Sequence, residues 1–282
     1  METRNAKVVA SKIVLFVKRD IRMEFRFSID LFTRFLGMFV GVAGSYYLSR
    51  LLGSGAAVAL SKAGYKADYL SFLILGAALT AYMNLSLHSF YWTMQSSWAS
   101  GTIQFMLSTR TKLWVYLVGK SMWRYLDNTL NIAFNILIGV ALFGLTFSTN
   151  ANYLGAAVLT VLAIVALLGV SLFSATAFTL LNAVAGTEPV TWTIDLLVPL
   201  VAGVAYPREM LPGPLRTIGA FLPQTYALRG VRRALLQGES LPALWQDVVP
   251  LVLFGLVVLP LGAVIFRKAL RIGLKSGMIS PW

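Results

Sequence analysis

Residues 206–236 read YPREMLPGPLRTIGAFLPQTYALRGVRRALL, and the architecture of the chain turns on what this stretch becomes. Pro207, Pro212, Pro214 and Pro223 cut it into short pieces, because proline lacks the amide hydrogen that an interior helical position donates. Between the cuts, apolar residues recur at helical spacing beside Arg208, Arg216, Arg229, Arg232 and Arg233. That is the pattern of short amphipathic helices at a membrane boundary. Long apolar runs flank the stretch on both sides, so it reads as an outer amphipathic or re-entrant element between two spans.

Composition agrees with a membrane setting. Of 282 residues, 57% are hydrophobic and 12% charged, and the mean hydropathy is +0.73, far from the balance of a soluble domain. The length holds about six spans of roughly 20 residues with modest loops, so the expected fold is an all-α polytopic membrane protein forming one domain over 1–282. The net charge of +13 sits mostly beside apolar runs, where anionic lipid headgroups rather than nucleic acid are the expected partners.

Working outward, residues 6–27 carry Lys18, Arg22 and Arg26 on one helical face and Val14, Val17, Ile21 and Phe25 on another, which predicts an amphipathic helix along the cytoplasmic surface. Spans are expected at about 29–52, 69–92, 124–147, 153–181, 189–206 and 248–266. No charged residue lies between Asp127 and Glu188. That interval is too long for one crossing, and the turn signal Ser148-Thr149-Asn150-Ala151-Asn152 divides it into two. In the first span Gly37, Gly41 and Ser45 form a small-residue stripe, suited either to packing within the subunit or to an oligomer contact. With both termini inside, the cytoplasmic side receives sixteen of the 24 Lys and Arg residues, as the positive-inside rule favours. The five arginines of 206–236 run against that tally, and outer-leaflet phosphates are the expected explanation.

Several chemistries are excluded. The absence of cysteine removes thiol nucleophiles and thiolate metal sites. Gly119-Lys120-Ser121 lacks the preceding glycine of a phosphate-binding loop, Trp114 standing in its place. His88 is the single histidine, so neither a catalytic triad nor a histidine-rich metal site can be assembled. No catalytic residue and no metal site are expected. Asp195 is the one acid well inside an apolar run, and it stands either in a coupling or ion-pair role or at the cytoplasmic interface. Arg124 and Asp127, one turn apart, read as a local ion pair.

Three pieces together resemble the permease subunit of an ATP-binding cassette exporter of the type-two (ABC-2) family. The first is the basic amphipathic N-terminal helix leading directly into a span. The second is Gly101-Thr102-Ile103-Gln104-Phe105-Met106-Leu107-Ser108-Thr109, which resembles the family's GTLE-x-LL-x-T signature in the cytoplasmic coupling helix. The third is Tyr206-Pro207, Met210-Leu211-Pro212, Leu222-Pro223-Gln224-Thr225-Tyr226-Ala227-Leu228 and Arg232, similar to its FP-x-x-x-LP…LP-x-TYAL…R pattern. The resemblance spans essentially the whole chain.

What it implies is an ATP-driven exporter of an amphiphilic, drug-like or lipid-like substrate, in a bacterial or archaeal cytoplasmic membrane, with both termini cytoplasmic. Two permease copies, as a homodimer or with a homologous partner, would associate with two ATPase subunits. ATP and Mg would be bound by that partner, and no cofactor by this chain. Trp98, Gly101, Thr102, Ile103, Gln104, Phe105, Met106 and Leu107 are the expected coupling residues, in a short helix seated in a groove of the ATPase. Pro223, Tyr226, Arg229, Arg232 and Arg233 would form an outer gate, the arginines meeting anionic lipid or substrate groups. A polysaccharide- or glycolipid-exporting permease of the same family is the nearest alternative. An ion-driven secondary transporter, which needs midplane ionisable groups, is the alternative of another class.

Overall fold

The computed structural model describes residues 28–65, 67–102, 113–181 and 189–275, together with positions 11, 14, 15, 18 and 21. Positions 11, 14, 15, 18 and 21 are helical; the rest of the expected surface helix over 6–27 lies outside the described residues. The long elements are α1 (Ser28–Lys62), α2 (Tyr69–Ala99), α3 (Leu113–Phe143), α4 (Tyr153–Leu181) and α8 (Trp245–Lys275). Shorter ones are α5 (Pro189–Val201), α6 (Gly213–Ala220) and α7 (Pro223–Leu236), with 3-10 turns at Arg208–Met210 and Leu241–Leu244. Among the described residues the regular structure is all helix. Five helices are long and apolar enough to cross a membrane, which makes this a multi-pass membrane protein.

The sixth expected crossing takes another form. α5 has 13 residues and so rises about 20 Å, short of the roughly 30 Å of hydrocarbon in a bilayer. Pro199 sits inside it and Gly203 adopts a φ of 81°, so the apolar run continues to Tyr206 while the helix does not. Prolines then rebuild helix on the far side. Pro214 and Pro223 each occupy a first-turn position, where the missing amide hydrogen has no partner to lose.

α4 is the central post. It packs along α8 and α2, and its other contacts are with α7 and α5. The core joins Leu79, Met83 and Leu87 of α2 to Leu159, Ala163 and Leu167 of α4, with Val198, Leu228, Val231 and Leu251 from α5, α7 and α8 closing around them. In hydrocarbon, water expulsion no longer drives helices together, so close backbone approach has to. Gly169 on α4 and Gly262 on α8 supply it, since a Cβ on Gly169 would lie 2.6 Å from the Leu259 amide nitrogen.

α1 and α3 lie at the side of this core. Most of α1 is exposed, and Gly37, Gly41 and Gly44 have open space where a Cβ would be, so the small-residue stripe is not consumed by packing within the chain. Arg34 of α1 pairs with Asp127 of α3 at 3.0 Å, and Phe35 meets Phe134 edge-on at 4.6 Å. Asp127 therefore reaches across to a neighbouring helix, where the sequence suggested a local pair with Arg124. The Arg124 guanidinium lies 5.6 Å above the Trp92 ring instead.

α3 starts at Leu113, earlier than the expected 124, and the reason is a ladder of hydroxyls. Tyr82 donates to Thr129 at 2.7 Å, Tyr125 to Ser86 at 2.9 Å and Lys120 to Ser96 at 2.8 Å. Ser89 and Ser121 lie 2.6 Å apart, and Ser97 and Tyr116 2.5 Å apart. The rungs climb α2 while descending α3, as antiparallel helices require. Polar side chains that would be costly alone in hydrocarbon are paired across the two helices.

Candidate functional site

Two regions gather the chemistry. The first is the module built by 202–247. Pro223 opens α7, and two side chains tie its first turn to the end of α6: Thr225 Oγ1 donates to the Gly219 carbonyl at 2.7 Å and the Tyr226 hydroxyl to the Ala220 carbonyl at 2.9 Å. Tyr206 Oη donates to the Leu200 carbonyl at 2.5 Å, capping the end of α5.

Arg232 is the centre of this module and is 2% exposed. Its guanidinium donates to the carbonyls of Gly203 at 2.5 Å, Val204 at 2.5 Å and Phe72 at 3.0 Å, and its carbon stands 3.5 Å above the Phe72 ring centre. A guanidinium keeps its charge in proteins. The non-helical backbone after α5 leaves carbonyls that hydrocarbon cannot satisfy, and Arg232 satisfies them. Gly76 makes room, because a Cβ there would meet Arg232 Nη2 and the Val204 carbonyl.

Arg229 and Arg233, one turn apart on the other face of α7, clamp Asp247 of α8. Arg229 Nε reaches Asp247 Oδ1 at 2.6 Å and Arg233 Nη1 reaches Oδ2 at 3.1 Å, with Asp247 fully buried. Arg233 also pairs with Glu239 at 2.5 Å. The expectation that the three arginines meet lipid or substrate groups fails for Arg232 alone, while Arg229 and Arg233 keep part of their side chains exposed beside these partners. Arg232 is internal, and the other two are engaged by carboxylates of the same chain. Arg216 likewise donates to the Glu209 carbonyl at 2.6 Å, and Arg208 to that of Arg216 at 3.1 Å. Each arginine that ran against the charge tally has a backbone or carboxylate partner inside the module.

The second region lies between α2 and α5, where Thr80, Asn84, His88, Trp92, Asp195, Val198 and Pro199 line a cavity of about 310 Å³. His88 Nε2 and Asp195 Oδ2 are 2.9 Å apart, and the imidazole stacks on Trp92 at 4.7 Å. His88 Nδ1 is enclosed and has no hydrogen-bond partner among the described residues. Asp195 thus has a close side-chain partner that lies far from it in sequence and was read separately. Two ligand-type side chains are too few for a structural metal, so the cluster serves hydrogen bonding and charge.

No family model and no curated protein matches this chain. The site therefore rests on geometry. The expected coupling segment divides at its start: Trp98 belongs to the last turn of α2, packed edge-on to Phe178 at 6.4 Å, and Gly101, with a φ of 64°, ends that helix. Thr102 lies 2.7 Å from Ser100 through their hydroxyls. Ile103, Gln104, Phe105, Met106 and Leu107 lie outside the described residues.

Proposed function

We propose that this chain is the membrane-spanning subunit of an ATP-driven exporter of the ABC-2 permease type, moving an amphiphilic substrate across the membrane with a separate ATPase. One observation carries the reading. The residues of the 206–232 pattern are the ones that assemble the module: Tyr206 caps α5, Pro223 opens α7, Thr225 and Tyr226 tie α6 to α7, and Arg232 holds the broken backbone. A pattern whose members each perform a distinct structural task is better explained by shared architecture than by chance. The α2–α5 cavity, which mixes Thr80, Asn84, His88 and Asp195 with Trp92, Val198 and Pro199, suits an amphiphile. Affinity purification of the tagged chain from its native membrane is expected to recover an ATPase subunit in equal number. Recovery of an active transporter with no such subunit overturns the reading.

The His88–Asp195 pair favours a second reading, an ion-driven carrier, since intramembrane ionisable groups mark ion and proton paths. Proteoliposomes containing the chain alone separate the two: uptake driven by a proton or sodium gradient belongs only to the carrier. In either case Asp195→Asn is expected to lower transport by about tenfold, equivalent to roughly 1.4 kcal/mol, while the protein stays monodisperse. Unchanged transport in Asp195→Asn removes the α2–α5 cavity from the substrate path.

A further inference from the structure

A second cavity, of about 180 Å³, lies among α1, α2 and α3. Its polar wall is a stripe on α3, Asn128, Asn131 and Asn135, faced by Ser45 of α1; its remaining wall includes Gly41, Ala77, Ala78 and Ala81. Asparagine is a poor helix former, and three carboxamides on one face of a membrane-crossing helix need partners. Asn131 Nδ2 donates to Asp127 at 3.2 Å and Asn135 Nδ2 to the Asn131 carbonyl at 2.8 Å. Their Oδ1 atoms accept nothing among the described residues, and Asn128 Nδ2 is enclosed without a partner. Small side chains on the opposite wall leave open the space in front of the Asn131 and Asn135 carboxamides.

We propose that this cavity binds the uncharged polyhydroxyl headgroup of a membrane lipid, a glycolipid-type amphiphile. Carboxamides present donors and acceptors side by side, and a hydroxyl is both, so an array of hydroxyls satisfies an array of amides. A charged headgroup is disfavoured, because the cavity wall carries no charged side chain and the neighbouring Arg34 and Asp127 neutralise each other at 3.0 Å. A buried ion there would lack a counter-ion.

Depth points to a lipid. Ile74 to Ala81 on the cavity wall lie about 8 to 18 Å along α2 from its start at 1.5 Å per residue. Helices of 31 residues are about 46 Å long against about 30 Å of hydrocarbon, so the cavity begins just beneath headgroup level. On the side toward the membrane interior its flank is apolar and exposed, with Phe32 and Leu36 on α1 and Leu126 and Leu130 on α3, a surface for acyl chains. This site is separate from the α2–α5 cavity and stands whether or not the chain is an exporter.

The test uses the full chain in phosphatidylcholine nanodiscs containing, at equal mole fraction, diglucosyl diacylglycerol and diacylglycerol with the same acyl chains. Native mass spectrometry is expected to find one diglucosyl lipid retained per chain, preferred by about tenfold. Asn135→Leu and Ala81→Leu should abolish that preference. Ala81→Leu fills the space and leaves every amide hydrogen bond in place, so an unchanged melting temperature there separates the cavity from the fold. Equal retention of the two lipids, or a preference that survives both substitutions, overturns the proposal. Displacement by free maltose at millimolar concentration overturns the lipid as ligand. Copurification of an ATPase is scored independently, so failure of the exporter reading and failure of this site are distinguishable.

Discussion

Arg232→Gln is expected to be among the most damaging single substitutions in this chain, costing about 2–5 kcal/mol because buried carbonyls left without a donor cost about 1–3 kcal/mol each. The guanidinium serves three carbonyls at once, on Gly203, Val204 and Phe72, and a carboxamide has the reach and donors for one of them. Thermal unfolding in nanodiscs measures the loss, and limited proteolysis should show cleavage between α5 and α6. Gly76→Ala should produce a similar loss by a different route, since its Cβ occupies the place of Arg232 Nη2. Because both changes disturb one network, the double variant should lose less than the sum. Arg229→Gln provides the contrast: its side chain is 25% exposed, and Arg233 still engages Asp247. Equal melting temperatures for Arg232→Gln and the parent would refute the role assigned to the buried guanidinium.

Gly169→Val is expected to separate the two best-packed helices. Its Cβ would lie 2.6 Å from the Leu259 nitrogen and 2.8 Å from the Val258 carbonyl carbon. These are backbone atoms and cannot rotate away. Overpacking of this kind costs about 1–3 kcal/mol, occasionally more, and here α4 and α8 have to move as whole helices. Gly255→Ala is the control, because its Cβ meets Val165 Cγ1 at 3.4 Å and the Ala166 nitrogen at 4.0 Å, both ordinary contacts, and its effect should stay within about 0.5 kcal/mol. If the two variants unfold together, close backbone approach is not what holds α4 to α8.

Features with local causes were legible in the sequence. α4 runs over Tyr153–Leu181, the bounds expected from a charge-free run that follows an asparagine-rich turn. The start of α2 was legible for the same reason, since Asp68 caps it by accepting from the Ser71 amide at 3.2 Å. The start of α3 was not, because the polar, basic stretch around Tyr116 and Ser121 reads as lying outside the span until α2 supplies its partners. α5 looked long enough to cross because hydropathy does not register where backbone leaves the helix. His88 and Asp195 were each singled out, yet their pairing depends on how α2 meets α5. Arg232 was singled out for the wrong surroundings. An arginine on an amphipathic helix looks the same in sequence whether it faces phosphate or backbone carbonyls, and only the broken end of α5 decides between them.

The hydroxyl ladder between α2 and α3 has a mechanical consequence. A slip of one residue along either helix would break every rung at once, so the pair resists sliding and bends as a single beam about 46 Å long. One end of that beam carries Ser100 to Thr102, and near the other the Phe72 carbonyl is gripped by Arg232. The same cation that satisfies the unwound backbone thereby ties the far end of α2 to the segment after α5 and to α7.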